Sequence, residues 1–104
     1  MTIVKEGSFK APKGLIKVRV ESADSEISSI IITGDFFMYP EDQLWELEKK
    51  LRRTSINRKE ILKKVREFYE ESNVITPGVS PEDFCEAVIR ALQAEDLSGD
   101  CKQA

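Results

Sequence analysis

The sequence predicts an α+β fold in which an antiparallel sheet of about three strands comes first and about three helices pack on one of its faces. Three observations support this prediction. Residues 15–21 alternate between apolar and polar side chains, as a half-buried strand does. Residues 27–34 are rich in β-branched side chains, which favour strands. From residue 40 onward, apolar side chains recur at helical spacing instead.

The predicted strands differ in how clearly the sequence marks them. The first, at residues 2–9, is short, weak and interrupted at Gly7. A type I turn is expected at residues 11–14, because proline and glycine take its second and fourth positions. The second strand directs Ile16, Val18 and Val20 to one face and Lys17, Arg19 and Glu21 to the other. A polar turn at 22–26 then leads into the third strand.

The first predicted helix begins with Pro40 at its first position, and the acidic side chains that follow suit the positive helix start. Its buried stripe comprises Leu44, Leu47 and Leu51. Trp45 lies at the edge of this stripe, so we expect a core residue, with an interface anchor as the alternative. A basic cluster complements the negative helix end, and a phosphate site is the alternative; it comprises Lys49, Lys50, Arg52 and Arg53.

The second and third helices carry recognisable start signals. Asn57 is expected to cap the second helix, with Glu60 completing a capping box, and the helical pattern ends near Asn73. Ser80 is expected to cap the third helix, with Pro81 at its first position. The expected buried stripe of the third helix comprises Phe84, Cys85, Val88, Ala91 and Leu92.

Composition limits the classes of function. The chain has 104 residues, and we expect one domain at 1–97 followed by a flexible tail at 98–104. The net charge of -3 argues against a general nucleic-acid binder. The sequence has neither an apolar run long enough for a membrane span nor a signal-peptide core, so we expect a cytoplasmic protein. With no histidine, and with Cys85 and Cys101 far apart, we expect no catalytic or metal site.

Residues 33–40 join the last strand to the first helix and carry the most informative pattern of the chain. On extended backbone, neighbouring side chains point to opposite faces. If either Phe36 or Phe37 enters the core, the other therefore points outward, and an outward ring indicates a partner surface. Asp35 precedes these rings. We expect it to accept backbone hydrogen bonds at the junction, with a catalytic acid or base as the alternative.

Two lysines flank the predicted hairpin turn. Lys10 and Lys13 are either solvated surface residues, which is the simpler interpretation, or a pair that faces an anion such as a phosphate or a partner's carboxylates. A phosphate-binding loop is not expected, because the five glycines are scattered along the chain.

Two stretches together resemble a known family. Residues 10–18 contain a Lys-x-Pro-x-Gly turn that leads into a strand, and residues 32–40 contain a Gly-Asp-Phe-Phe run followed by proline and a helix rich in Glu and Leu. In both respects the chain resembles the C-terminal accessory domain of lipoate–protein ligases. The firm match covers residues 10–51. The family often has two glycines where Lys13-Gly14 stands here, so the backbone freedom of the turn differs.

This resemblance implies a fold similar to that of iron–sulfur scaffold proteins and a role in lipoate attachment. Ligases of the family activate lipoate with ATP to lipoyl-AMP and then transfer the lipoyl group to a lysine of an acceptor domain. The accessory domain, needed mainly for the first step, is usually fused to the catalytic domain. In some prokaryotes the ligase is split, and this chain resembles the smaller polypeptide.

The expected partners and cofactors follow from the same resemblance. The partner is the large catalytic subunit and, indirectly, lipoyl acceptor domains. The chain alone is expected to bind no cofactor, with lipoate, ATP and Mg at the catalytic subunit. We expect Phe36, Phe37, Tyr39 and Asp35 to form the interface, and Lys10 and Lys13 to face the mouth of the adenylate site.

Two other interpretations remain open at the level of sequence. An iron–sulfur or sulfur-transfer scaffold would need clustered cysteines, and the two cysteines of this chain cannot supply three ligands. A free-standing interaction module would show no ATP-linked activity in any mixture of proteins.

Overall fold

The computed structural model describes residues 3–94. Its elements, in order, are β1 (Ile3–Ala11), β2 (Gly14–Ala23), β3 (Glu26–Asp35), α1 (Gln43–Leu51), α2 (Arg58–Ser72) and α3 (Pro81–Gln93). The strands form one antiparallel sheet in the order β1-β2-β3. The predicted α+β fold, with strands first and helices after, is confirmed. The predicted tail at 98–104, which includes Cys101, lies outside the described residues.

The first strand is longer than predicted and is not interrupted at Gly7. β1 pairs with β2 along its whole length, with Gly7 opposite Val18. A Cβ atom on Gly7 would lie 2.6 Å from the backbone nitrogen of Ala91 in α3. The glycine therefore lets α3 approach the strand closely. Tertiary packing, rather than a break in the strand, explains why glycine stands at this position.

The two hairpin turns are both tight. Asp24 and Ser25 alone form the second turn, with φ values of 54° and 66° that suit a type I′ hairpin, so the predicted turn at 22–26 was too long. The first turn has Pro12 and Lys13 between the paired ends of β1 and β2, and neither residue has a positive φ. That geometry fits the type I turn expected from the sequence.

The core lies between one face of the sheet and the helices. The inward apolar side chains of β2 and β3 are at most 2 % exposed, and they are Ile16, Val18, Val20, Ile27, Ile30 and Ile32. On this face α3 packs across β1 and β2, whereas α1 packs against β3. α2 packs on α1 and α3 and completes the helical layer.

The helix caps follow the sequence signals at α2 and α3. The Asn57 side chain accepts hydrogen bonds from the N–H groups of Lys59 and Glu60, although no return bond from the Glu60 side chain forms among the described residues. Ser80 and Asp83 form a reciprocal capping box at the start of α3. α2 ends at Ser72, and the next residue, Asn73, caps it with a left-handed φ of 54°.

The predicted start of α1 was wrong. Pro40 lies before the helix, which begins at Gln43 with Asp42 at the N-cap. The N–H of Gln43 donates to the carbonyl of Pro40, and that of Leu44 donates to Glu41. These bonds span three residues, so a tight turn precedes the α-helix. Among residues 3–94, no helix is both long enough and apolar enough to cross a bilayer.

Candidate docking surface at the end of the sheet

Phe36 and Phe37 point in opposite directions where β3 ends. Phe36 is half-buried, and its ring meets that of Phe84 in α3 edge-on, with centroids 5.3 Å apart. The ring of Phe37 is 64 % exposed. The prediction that one ring enters the core while its neighbour points outward is confirmed. The edge-on contact with Phe84 makes Phe36 the inward ring, so Phe37 is the outward one.

Tyr39 extends the exposed aromatic surface. Its ring lies parallel to that of Phe37, with centroids 6.3 Å apart and planes 3° from parallel. Its backbone N–H and carbonyl both bond to Ile75 in the connector between α2 and α3, at 2.9 Å each. Tyr39 is 50 % exposed and Ile75 is 63 % exposed. The bridge therefore places two apolar side chains from distant parts of the chain next to each other.

A buried polar network holds the connector that carries Ile75. The hydroxyl groups of Tyr69 and Thr76 lie 2.7 Å apart, and Thr76 donates to the carbonyl of Val79 at 2.7 Å. Burial raises the pKa of Tyr69, so its hydroxyl stays protonated and available to this network at neutral pH. Because Val74 and Thr76 on either side are buried, Ile75 is directed outward.

A groove of about 490 Å³ lies between the end of β3 and α1. Exposed apolar side chains at its walls are Ile31, Phe37 and Trp45. Trp45 is 71 % exposed, so the expectation of a core residue was wrong, and the alternative of an interface anchor stays a prediction. The helix turns its leucine stripe to the core, with Leu47 and Leu51 fully buried, and Trp45 falls outside that stripe.

We call the five exposed apolar residues of this region the apolar patch: Ile31, Phe37, Tyr39, Trp45 and Ile75. Ring stacking, the Tyr39–Ile75 bridge and the shared groove connect its members. Single exposed hydrophobic residues are ordinary, but a connected set of this kind is typical of a binding surface.

Charged residues border the patch at the same end of the sheet. Lys10, Leu15 and Asp35 form one row across the three strands, so Lys10 and Asp35 lie about 10 Å apart. Both are exposed, and within residues 3–94 the Asp35 carboxylate accepts no hydrogen bond. The expected structural role for Asp35 is therefore not supported.

The hairpin turn contacts both the junction and the connector. The side chain of Lys13 packs over Gly78, where an added Cβ would come within 2.3 Å of the Lys13 Cβ. A Cβ on Gly14 would lie 2.9 Å from that of Phe36. The structure thus brings all six residues expected at a site to one end of the molecule: Lys10, Lys13, Asp35, Phe36, Phe37 and Tyr39.

The sequence interpretation missed Ile75 altogether. Its signal was the β-branched run of the connector, where Val74, Ile75 and Thr76 are followed by Pro77-Gly78. That pattern predicts an extended segment in which the middle side chain points away from its neighbours. The pairing with Tyr39 is long-range and leaves no local signal.

Acidic side chains and the Cys85 thiol are the other groups that could form a chemical site in the described part of the chain. Within residues 3–94, no three Cys, Asp or Glu side chains cluster closely enough to hold a metal ion. Cys85 is buried, and burial raises the pKa of its thiol, so the reactive thiolate is disfavoured. Cys85 therefore packs as a small core residue, as the sequence predicted.

Comparison with known proteins gives three concordant matches. Residues 1–88 match the family model described as bacterial lipoate protein ligase C-terminus. Lipoate-protein ligase A subunit 2 of Thermoplasma acidophilum is 46% identical over 88 residues, which span 85% of this chain and 90% of that protein. A chain in the solved structure of a bi-partite lipoate protein ligase and its E2 lipoyl domain, from the same archaeon, superposes with a TM-score of 0.77 at 45% identity. That match covers 85% of this chain and 97% of the archaeal chain.

Proposed function

This chain belongs to the bacterial lipoate protein ligase C-terminus family, and from this premise we propose its function. In this proposal the chain is the accessory subunit of a two-polypeptide lipoate protein ligase and has no active site of its own. The similarity to subunit 2 of a bi-partite ligase, along nearly the full length of that relative, supports this assignment. The connected apolar patch on the described part of the chain is the structural observation that carries it.

The proposed contribution of the chain is to complete the catalytic subunit's site during activation of lipoate. Lipoate, ATP and Mg would bind on the large subunit, and the products of this step would be lipoyl-AMP and pyrophosphate. A rigid subunit docked at the mouth of such a site excludes water from the reactive adenylate, as a closing lid does. Transfer to a lipoyl acceptor domain would follow, and the cytoplasm is the compartment we propose for the pair.

The patch suits docking because two contacts fasten the segment that carries its aromatic rings. Phe36 fastens the junction to α3 through Phe84, and the Tyr39–Ile75 bridge fastens it to the connector. A preformed surface loses little conformational entropy on binding. Aromatic rings at the centre of such a surface are the residues that most often carry binding energy.

Reconstitution tests the proposed function directly. This chain and the candidate large subunit from the same organism are purified separately and then incubated with lipoate, ATP and Mg. We expect lipoyl-AMP to accumulate only when both polypeptides are present. Equal accumulation with the large subunit alone, or no association between the two polypeptides, would contradict the proposal.

Phe36 and Phe37 should respond differently to substitution by alanine. Phe37→Ala should weaken subunit affinity by about 2 kcal/mol or more, because an interface anchor is lost, while stability changes by less than about 0.5 kcal/mol. Phe36→Ala should lower the free energy of unfolding by about 2 kcal/mol, because the half-buried ring and its contact with Phe84 are lost. Calorimetric titration measures the affinity, and urea denaturation measures the stability.

Ile56→Ala is the matched control for the Phe37 variant. Ile56 is a large apolar residue that is 42 % exposed but lies before α2, outside the apolar patch. We expect its substitution to leave subunit affinity unchanged. If Phe37→Ala binds the large subunit as tightly as the wild-type chain does, Phe37 is not part of the interface.

The lysine pair should affect the chemical step more than association. If Lys10 and Lys13 face the adenylate site, the Lys10→Ala, Lys13→Ala double variant should form lipoyl-AMP about tenfold more slowly, because charge that stabilises the transition state is lost. Subunit affinity should change little. The control is the Lys59→Ala, Lys63→Ala double variant, which removes two exposed lysines from α2. Normal lipoyl-AMP formation by the first variant would remove the lysine pair from the site.

A further inference from the structure

The groove between β3 and α1 combines apolar walls with carboxylates. Its exposed apolar members are Ile31, Phe37 and Trp45, and the ionisable side chains that line it are Glu41 and Glu48. Among residues 3–94, no lysine or arginine lines this groove. The groove therefore offers exposed apolar surface and carries negative charge.

The carboxylates of the groove lack a cationic partner within residues 3–94. One oxygen of Glu48 accepts the N–H of Ile32 on β3 at 2.8 Å, and the side chain is half-buried. Neither Glu41 nor Glu48 forms an ion pair in this part of the chain. Lys49 and Arg52 lie with Glu48 around a second hollow beside Trp45, but neither reaches ion-pair distance to it.

The lysines of α1 are already paired elsewhere. Lys49 pairs with Glu46 at 3.2 Å, and Lys50 pairs with Glu71 of α2 at 3.1 Å. Neither ammonium group is free to turn toward the groove without breaking one of these contacts. Arg52 forms no ion pair among residues 3–94 and stays beyond ion-pair distance of Glu48, so the groove carboxylates are open to a cation from a partner.

Docking creates an electrostatic requirement at this groove. A partner that covers Phe37 and Trp45 also removes water from Glu41 and Glu48, because the same groove holds all four side chains. Burying an unpaired carboxylate is costly, and burying it opposite a cation is far less so. An entirely apolar partner segment would therefore bind this groove poorly.

We infer that the groove receives a basic side chain, an arginine or a lysine, from the large ligase subunit. This inference rests on the proposed function and specifies the chemistry of the partner surface. The aliphatic stem and cationic head of that residue pack against the Trp45 ring, an arrangement that aromatic faces favour. Glu41 and the second oxygen of Glu48 accept hydrogen bonds from the charged head, and the first oxygen keeps its bond to Ile32.

Neutral isosteres test this inference on the intact pair of subunits. The Glu41→Gln, Glu48→Gln double variant removes both charges, and the glutamine at position 48 can still accept the Ile32 N–H through its amide oxygen. We expect its affinity for the large subunit to fall at least about tenfold at low salt. The difference from the wild-type chain should shrink at high salt, because exposed charge pairs are screened.

Two further variants keep the test decisive. Glu41→Gln alone leaves the Glu48–Ile32 bond intact, so it should fold normally and weaken binding in the same salt-dependent way by a smaller factor. Glu70→Gln removes an equal charge from an exposed position on α2 and should bind like the wild-type chain. Circular dichroism and thermal melting establish that each variant is folded before its affinity is compared.

The outcomes separate this inference from the proposed function. If the wild-type chain binds the large subunit but the glutamine variants bind as tightly or more tightly, the partner brings no cation to the groove and the inference is wrong. A metal ion in that role would show itself as affinity that falls on addition of a chelator, which also overturns the inference. Failure of the wild-type chain to bind at all would overturn both proposals.

Discussion

The edge-on contact between Phe36 and Phe84 is the interaction on which the exposed surface depends. Extended backbone at the end of β3 forces Phe36 and Phe37 to opposite sides, and the contact with Phe84 on α3 decides which ring turns inward. Once Phe36 is fixed, Phe37 has no route into the core. Its exposed ring then stacks with Tyr39, and Tyr39 pairs with the connector that presents Ile75. One half-buried ring therefore determines the position of most of the apolar patch.

The edge of β3 is closed by polar contacts rather than by another strand. Glu48 accepts the Ile32 N–H, and the backbone of residues 53–54 pairs with Ile27 at the other end of the strand. Exposed strand edges promote unwanted pairing, and these contacts occupy backbone groups that could otherwise pair with another strand. The Glu48 carboxylate also supplies one of the two negative charges of the groove. In the proposed docking, edge protection and partner recognition share this one residue.

Local rules account for the parts of the structure that the sequence predicted well. The alternation of β2, the β-branched run of β3 and the caps Asn57 and Ser80 act over a few residues, and each formed as expected. The opposed phenylalanines follow from strand geometry, which is also local. The family resemblance came from two motifs that lie within this well-defined half of the chain. Fold class and the general position of the site were therefore accessible.

The features that escaped the sequence interpretation depend on contacts between distant segments. From the sequence alone, Gly7 indicates a break in the strand. In the structure, α3 packs within 2.6 Å of the place where a Cβ atom of residue 7 would be, and this close approach explains the glycine. Ile75 joins the surface only because it pairs with Tyr39, and Trp45 is exposed because no element covers that side of α1 in the described part of the chain. Spacing along the chain does not encode such pairings. Sequence patterns therefore predicted where the candidate site lies but not all of the residues that form it.

Amide hydrogen exchange of this chain, free and bound to the large subunit, tests most directly whether the apolar patch is the surface that a partner covers. The account predicts that exchange slows on complex formation in residues 31–45 and 74–76, while the exposed N-terminal turns of α2 are unaffected. Slowing confined to α2 or to the β1 edge, with residues 36–39 unchanged in a saturated complex, would contradict it.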